Sequence, residues 1–163
     1  MISAFIFLKI YDIINYKIKE KEEKRKMRLW HQSLIPYLPR QQLLGQHREC
    51  CALRGKGWGK KHATVDYVFT YAPDELVAYH YLIMEEMRHR GYNPDKTWYN
   101  PNWRGSVLGE VTGWSYQETV DQIYHSACDG AMIYDEHNNT YLRECIENLR
   151  GKDVDVSEME KLL

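Results

Sequence analysis

Pro39-Arg40-Gln41-Gln42-Leu43-Leu44-Gly45-Gln46-His47-Arg48-Glu49-Cys50-Cys51-Ala52-Leu53-Arg54-Gly55-Lys56-Gly57-Trp58-Gly59-Lys60-Lys61-His62 is the stretch on which the reading of this chain turns. Pro39 fits the first turn of a helix, where its missing N–H is not needed and its fixed φ already suits. Leu43, Leu44, His47, Cys50, Cys51 and Leu53 recur at helical spacing and predict a buried stripe. Gly55, Gly57 and Gly59 then end the helix in a basic loop. Glu49 is the only acidic residue between Glu23 and Asp66, set among Arg28, Arg40, Arg48, Arg54, Lys56, Lys60 and Lys61. A carboxylate alone in such a stretch is either a structural ion-pair partner or a working group.

Working outward, the charge is unevenly spread. The 163 residues carry a net charge of −1, yet from Met27 to His62 seven Lys and Arg face one Glu, a net of +6. From Ala63 to Leu163 the net is −10. This polarity predicts a concentrated anion-binding surface on a solvating remainder, so the near-neutral total does not exclude nucleic acid. Upstream, Met1 to Tyr16 is apolar in patches and Lys17 to Lys26 is a run of mixed charge. No basic region precedes the apolar part and no small-residue cleavage site follows it, so it does not read as a signal peptide. Lys9 and Asp12 interrupt it and it is too short to span a bilayer, leaving an amphipathic surface helix or, preferably, an extension outside the core. The boundary falls at 1–26, with one domain over 27–163.

Downstream, Thr64 to Thr70 is β-prone and reads as a strand or a packed loop. Pro73-Asp74-Glu75 opens the clearest helix, running to about His89 with acids first and Arg88 and Arg90 last, as the helix dipole favours. Leu76, Val77, Tyr79, His80, Ile83, Met84 and Met87 form its apolar side, and Gly91 terminates it. Trp98, Tyr99 and Trp103 lie in a loop from Tyr92 to Gly105. Ser115 and Glu118 have capping-box spacing before a further helix. A last helix within Asp135–Arg150 carries Tyr141, Leu142, Cys145, Ile146 and Leu149 on one side. The expectation is an all-α single compact domain with an N-terminal extension.

Several chemistries find no motif. The seven histidines show no H-E-x-x-H or H-x-H spacing, and the four cysteines include no C-x-x-C pair, so no metal site and no cofactor is predicted. There is no G-x-S-x-G, and Gly55 to Lys61 lacks Walker spacing. The basic loop offers backbone N–H groups, three lysines and one aromatic, a combination suited to a nucleic-acid backbone. Reduced thiols and a cytoplasmic location are expected.

Gln41 to Glu49, then Lys61-His62, then Leu76 through Glu86-Met87-Arg88-His89-Arg90-Gly91-Tyr92-Asn93 resemble the pyrimidine-dimer DNA glycosylases of the phage endonuclease V type. The resemblance implies an all-helical repair enzyme that excises ultraviolet-induced pyrimidine dimers from double-stranded DNA and nicks the abasic site. It implies an α-amino nucleophile, which falls at Met27, beside Arg28. Such an amine titrates near 7.7–8.0, so a useful fraction is neutral and nucleophilic. It attacks the anomeric carbon, expels the base and leaves an imine that permits β-elimination, with Glu49 as the catalytic carboxylate. Arg48, Lys61 and His62 carry over as DNA contacts, and Gln42 stands where the family has a helix-borne His. Arg28, Arg54, Lys56 and Lys60 are added from charge and location, and Ala52 replaces a family Arg. No membrane is expected and the chain is expected to be a monomer. The rival reading is a non-catalytic nucleic-acid-binding module using Arg40 to His62. A third, with the Arg48–Glu49 pair purely structural, predicts no nucleic-acid binding.

Overall fold

The computed structural model describes residues 4–25, 27–61 and 64–163. It is all-α: α1 (Ala4–Arg25), α2 (Arg40–Arg54), α3 (Pro73–His89), α4 (Gly105–Leu108), α5 (Gln117–Cys128), α6 (Asn139–Arg150) and α7 (Ser157–Glu160) are joined by 3₁₀ turns at Gln32–Tyr37, Asp66–Thr70 and Lys96–Tyr99. Among the described residues no strand forms. The β-prone run after Thr64 is one of those turns, packed through Val65 and Val68.

α3 is the axle. Leu76, Val77, Ala78, Tyr79, His80, Tyr81, Ile83, Met84 and Met87 are all buried, more of its circumference than a surface helix hides. α2 packs on it from one side and α5 from another. Pro73 occupies its first turn with Asp74 and Glu75, and the buried Asp74 carboxylate accepts from Ser115 Oγ (2.7 Å) and the Tyr116 amide (2.8 Å). Ser115 is thereby committed to α3, and α5 starts at Gln117 without the expected capping box. Gly91, with φ of +86°, closes α3 while Tyr92 N–H returns to Met87 O at 2.9 Å. Tyr134 stands edge-on to Tyr67 and Tyr71 in an aromatic core shared with His137.

Two features of this frame matter for the site. The extended segment 27–31 is buried from Leu29 to His31 and threads between α2, α3 and α6. Tyr141 of α6 donates to Leu29 O (2.5 Å) and Tyr79 of α3 to Trp30 O (2.6 Å). Before it, α1 keeps every described side chain from Ala4 to Lys19 exposed. Its apolar residues are spread around the axis rather than gathered on one face, so it is not the amphipathic helix that was one reading of the sequence. No helix among the described residues is long and apolar enough to cross a membrane.

Candidate active site

The centre of the site is an amide absent from every expectation drawn above. Gln46, on α2 and 1% exposed, uses all four of its hydrogen-bonding positions. Its Oε1 accepts from the Trp30 amide (2.6 Å) and, at 2.9 Å, shares with Trp30 O the single proton of the Tyr79 hydroxyl. Its Nε2 donates to Arg28 O (2.8 Å) and to Glu49 Oε2 (3.0 Å), one helical turn on. Both nitrogen partners are acceptors, which fixes the amide's orientation. Gln46 therefore fastens the backbone of Arg28 and Trp30 to α2 and turns Glu49 toward it.

Glu49 is half-buried, and burial pushes its carboxyl up to about 7 against the opposing pull of the Arg28 backbone hydrogen bond and of Lys152, Arg28 and Arg48. Desolvation wins because the nearby cations are themselves partly exposed, while the carboxylate loses its own water. A carboxyl that is half-protonated at neutral pH is suited to both proton donation and abstraction. Trp30 carries the guanidinium of Arg28 at 5.5 Å and the ammonium of Lys152 at 5.3 Å from ring centroids. Arg28, Trp30, Gln46, Glu49 and Lys152 thus form one cluster, built from the extended segment, α2 and the turn after α6. Met27, at its entrance, is held by Thr64 Oγ1 donating to its carbonyl.

Residues 27–100 match the family described as pyrimidine dimer DNA glycosylase. No curated protein and no solved structure matches the chain significantly. The matched segment contains Met27, Arg28, Gln46 and Glu49; Lys152 lies outside it.

The other sequence-predicted contacts divide. Arg48, Lys56, Lys60 and Lys61 are exposed, and Gln42 is half-buried two turns before Glu49 on α2. His62 lies outside the described residues. Arg54 overturns its expectation as a DNA contact: it is fully buried. Its guanidinium donates to Trp98 O (2.7 Å), Asn100 O (2.8 Å) and Trp103 O (3.3 Å), pinning the 98–103 loop to the end of α2. Burial lowers it to about 10, still cationic at neutral pH. Trp58 is likewise packed, edge-on to Phe69 (5.1 Å) and Trp114 (5.5 Å), so the loop offers no free aromatic platform. Some of its amides are engaged: Gly57 N–H returns to Ala52 O at 2.9 Å, where a Cβ on residue 57 would stand 2.7 Å from that oxygen, and Lys60 N–H to Gly57 O at 3.1 Å. What the loop presents is its lysines.

A second cluster brings His47, Cys51 and His80 together with ligand atoms within 4.8 Å. The Arg54 guanidinium, a donor only, lies 3.0 Å from His80 Nδ1, so the His80 proton sits on Nε2 and is donated to His47 Nδ1 at 2.8 Å. A ligating histidine ordinarily gives its second ring N–H to an acceptor; here that position faces a cation. Burial also pushes the Cys51 thiol up to about 12. The trio is a proton-sharing chain around Arg54 and is poorly suited to hold a metal. A groove of about 380 Å³ lined by Gln32, Ile35, Leu82, Glu85 and Met132 shares no residue with the Glu49 cluster.

Proposed function

We propose that this protein is a DNA repair glycosylase acting on pyrimidine dimers in double-stranded DNA, with abasic-site lyase activity through an imine. The observation that carries the reading is the placement of Glu49. The carboxyl raised to about 7 accepts a hydrogen bond from the Arg28 backbone, next to Met27, where the family pattern puts the reactive amine. The family match over residues 27–100 supports the substrate class.

In this reading the terminal amine of a chain beginning at Met27 attacks C1′ of the damaged nucleotide, the base leaves, and an iminium forms between that nitrogen and the sugar. Glu49 removes a C2′ proton, and the 3′ phosphate departs with the electron pair of its C–O bond. Gln46 holds the carboxylate, and Arg28 and Arg48 supply positive charge beside it. Lys56, Lys60 and Lys61 contribute charge to the DNA backbone from the loop, and the target nucleotide must leave the stack to reach the carboxylate.

The test is borohydride trapping on duplexes carrying a thymine dimer or an abasic site, using a chain that starts at Met27 and its Glu49→Gln variant. The expected result is a covalent adduct and strand nicking with the first, and DNA binding without nicking in the second. Salt-dependent binding with no adduct and no preference for the lesion would replace this reading with the non-catalytic binding module.

A further inference from the structure

When residue 26 precedes Met27, the nitrogen of Met27 is a peptide nitrogen, with its lone pair delocalised into the carbonyl and no nucleophilicity. The Glu49 cluster nevertheless contains another amine. We propose that Lys152 is the imine-forming amine of the full 163-residue chain, acting on abasic-site aldehydes at the Glu49 carboxyl.

Geometry argues for this role. Lys152 Nζ lies 5.3 Å from the Trp30 ring, whose amide is fixed by Gln46, the same side chain that holds Glu49. The Lys152 ammonium also acts on the Glu49 carboxylate, favouring its ionised form alongside Arg28 and Arg48. The lysine is not on a fraying tail. Its own amide and that of Val154 return to Leu149 O at 3.0 and 3.2 Å, Asp153 takes a left-handed φ of 61°, and Val156 and Met159 are buried just beyond. The sites reached by Lys56, Lys60 and Lys61 differ: all three are exposed on the glycine loop, and none is among the groups acting on Glu49.

The chemistry balances without a further reactant. The Lys152 ammonium passes a proton to the Glu49 carboxylate, and the free amine adds to the C1′ aldehyde of an abasic site. The carbinolamine takes the Glu49 proton on its oxygen and loses water, leaving a protonated imine and an ionised Glu49. Glu49 then removes a C2′ proton, the C3′–O bond breaks, and the phosphate leaves with the electron pair, giving a conjugated iminium. Water hydrolyses that iminium and releases the lysine.

This proposal rests on the lyase reading above, and the experiment separates the two. The full 163-residue chain, its Lys152→Arg variant and the chain starting at Met27 are each incubated with an abasic-site duplex and borohydride, and adducts are mapped by peptide mass spectrometry. Arginine keeps the charge against Trp30 and Glu49 but forms no imine, so folding and DNA affinity are retained. The expected result is an adduct on Lys152 in the full chain, lost to background in Lys152→Arg. An adduct on Met1 or on another lysine, or undiminished trapping by Lys152→Arg, would overturn the assignment to Lys152 and leave the lyase reading standing. So would trapping by the Met27-initiated chain alone. Absence of any adduct from all three would overturn both.

Discussion

Replacing Glu49 by Gln should make the protein more stable above neutral pH, even as it removes the proposed chemistry. The carboxyl is held at about 7 in the folded protein by desolvation, against 4.5 for the same group free. Above pH 7 it is ionised in both states, and only the folded state bears the loss of hydration. A folded pKa above the unfolded one contributes stability below about pH 4.5, which is lost as pH rises through about 7. The difference between those values corresponds to about 3 kcal/mol, an upper figure because the side chain keeps some water. Glutamine is nearly isosteric, and its Oε1 can still accept from Gln46 Nε2, now 3.0 Å from the carboxylate. The assay is urea unfolding of the wild-type chain and Glu49→Gln at a series of pH values from 4 to 9. The two should be close at pH 4 and diverge through pH 5–7 until the variant is ahead by up to about 3 kcal/mol, or roughly 6–12 °C in Tm. Stability curves that run parallel across this range would mean that Glu49 is not desolvated, and the case for a proton carrier poised at neutral pH would go with it.

Gln46→Leu keeps the volume but leaves the Trp30 N–H and Arg28 O without their side-chain partners. It should destabilise by about 3 kcal/mol, and hydrogen exchange should show the Trp30 amide opening first. Acid should act through buried neutral histidines. Burial lowers His137 to about 3 and pushes His31 and His80 down as well. The stabilising effect of each is complete above the unfolded value of 6.5 and is lost as pH falls toward its folded value; for His137 the loss is up to about 1.4 kcal/mol per pH unit, read from denaturant curves of Glu49→Gln between pH 6.5 and 4. Changing Lys56, Lys60 and Lys61 together to Ala should weaken duplex binding uniformly across sequences. It should also flatten the plot of log affinity against log salt by up to about 2.7, without altering Tm, since all three side chains are exposed.

Much of the helical frame was legible. The Pro73-Asp74-Glu75 start, the apolar side of the second long helix and its Gly91 stop agree with α3 as it stands, and the helix after Pro39 ends at the first loop glycine. Periodicity reports burial within an element well, because one helix face must meet the core. It does not report which polar side chain a distant backbone will need. Gln46 lay in the quoted motif, three residues from Glu49, but its role depends on Arg28 and Trp30 arriving beside it from an extended segment. Lys152 was invisible for the same reason, being 103 residues from Glu49 in sequence. Arg54 misled because charge was read as exposure. A guanidinium on the buried side of α2 becomes a scaffold when three carbonyls converge on it.

That inward turn of the arginines shapes the outer surface. Arg54 clasps the 98–103 carbonyls from within, and Arg104 reaches back to Arg54 O and Gly55 O while covering Trp114. The rigid, planar forks that read a phosphate bidentately are thus withdrawn from the glycine loop, which is left with compact ammonium groups on flexible stems. A polyanion meeting this loop feels attraction with little directional demand, much as a loosely held rope can still slide through a hand. Alignment must come from the Glu49 cluster, just over one turn back along α2 from the loop, where Arg28 of the extended segment and Arg48 of the helix act on the carboxylate. The division separates holding from aiming along a single fifteen-residue helix and the loop that follows it.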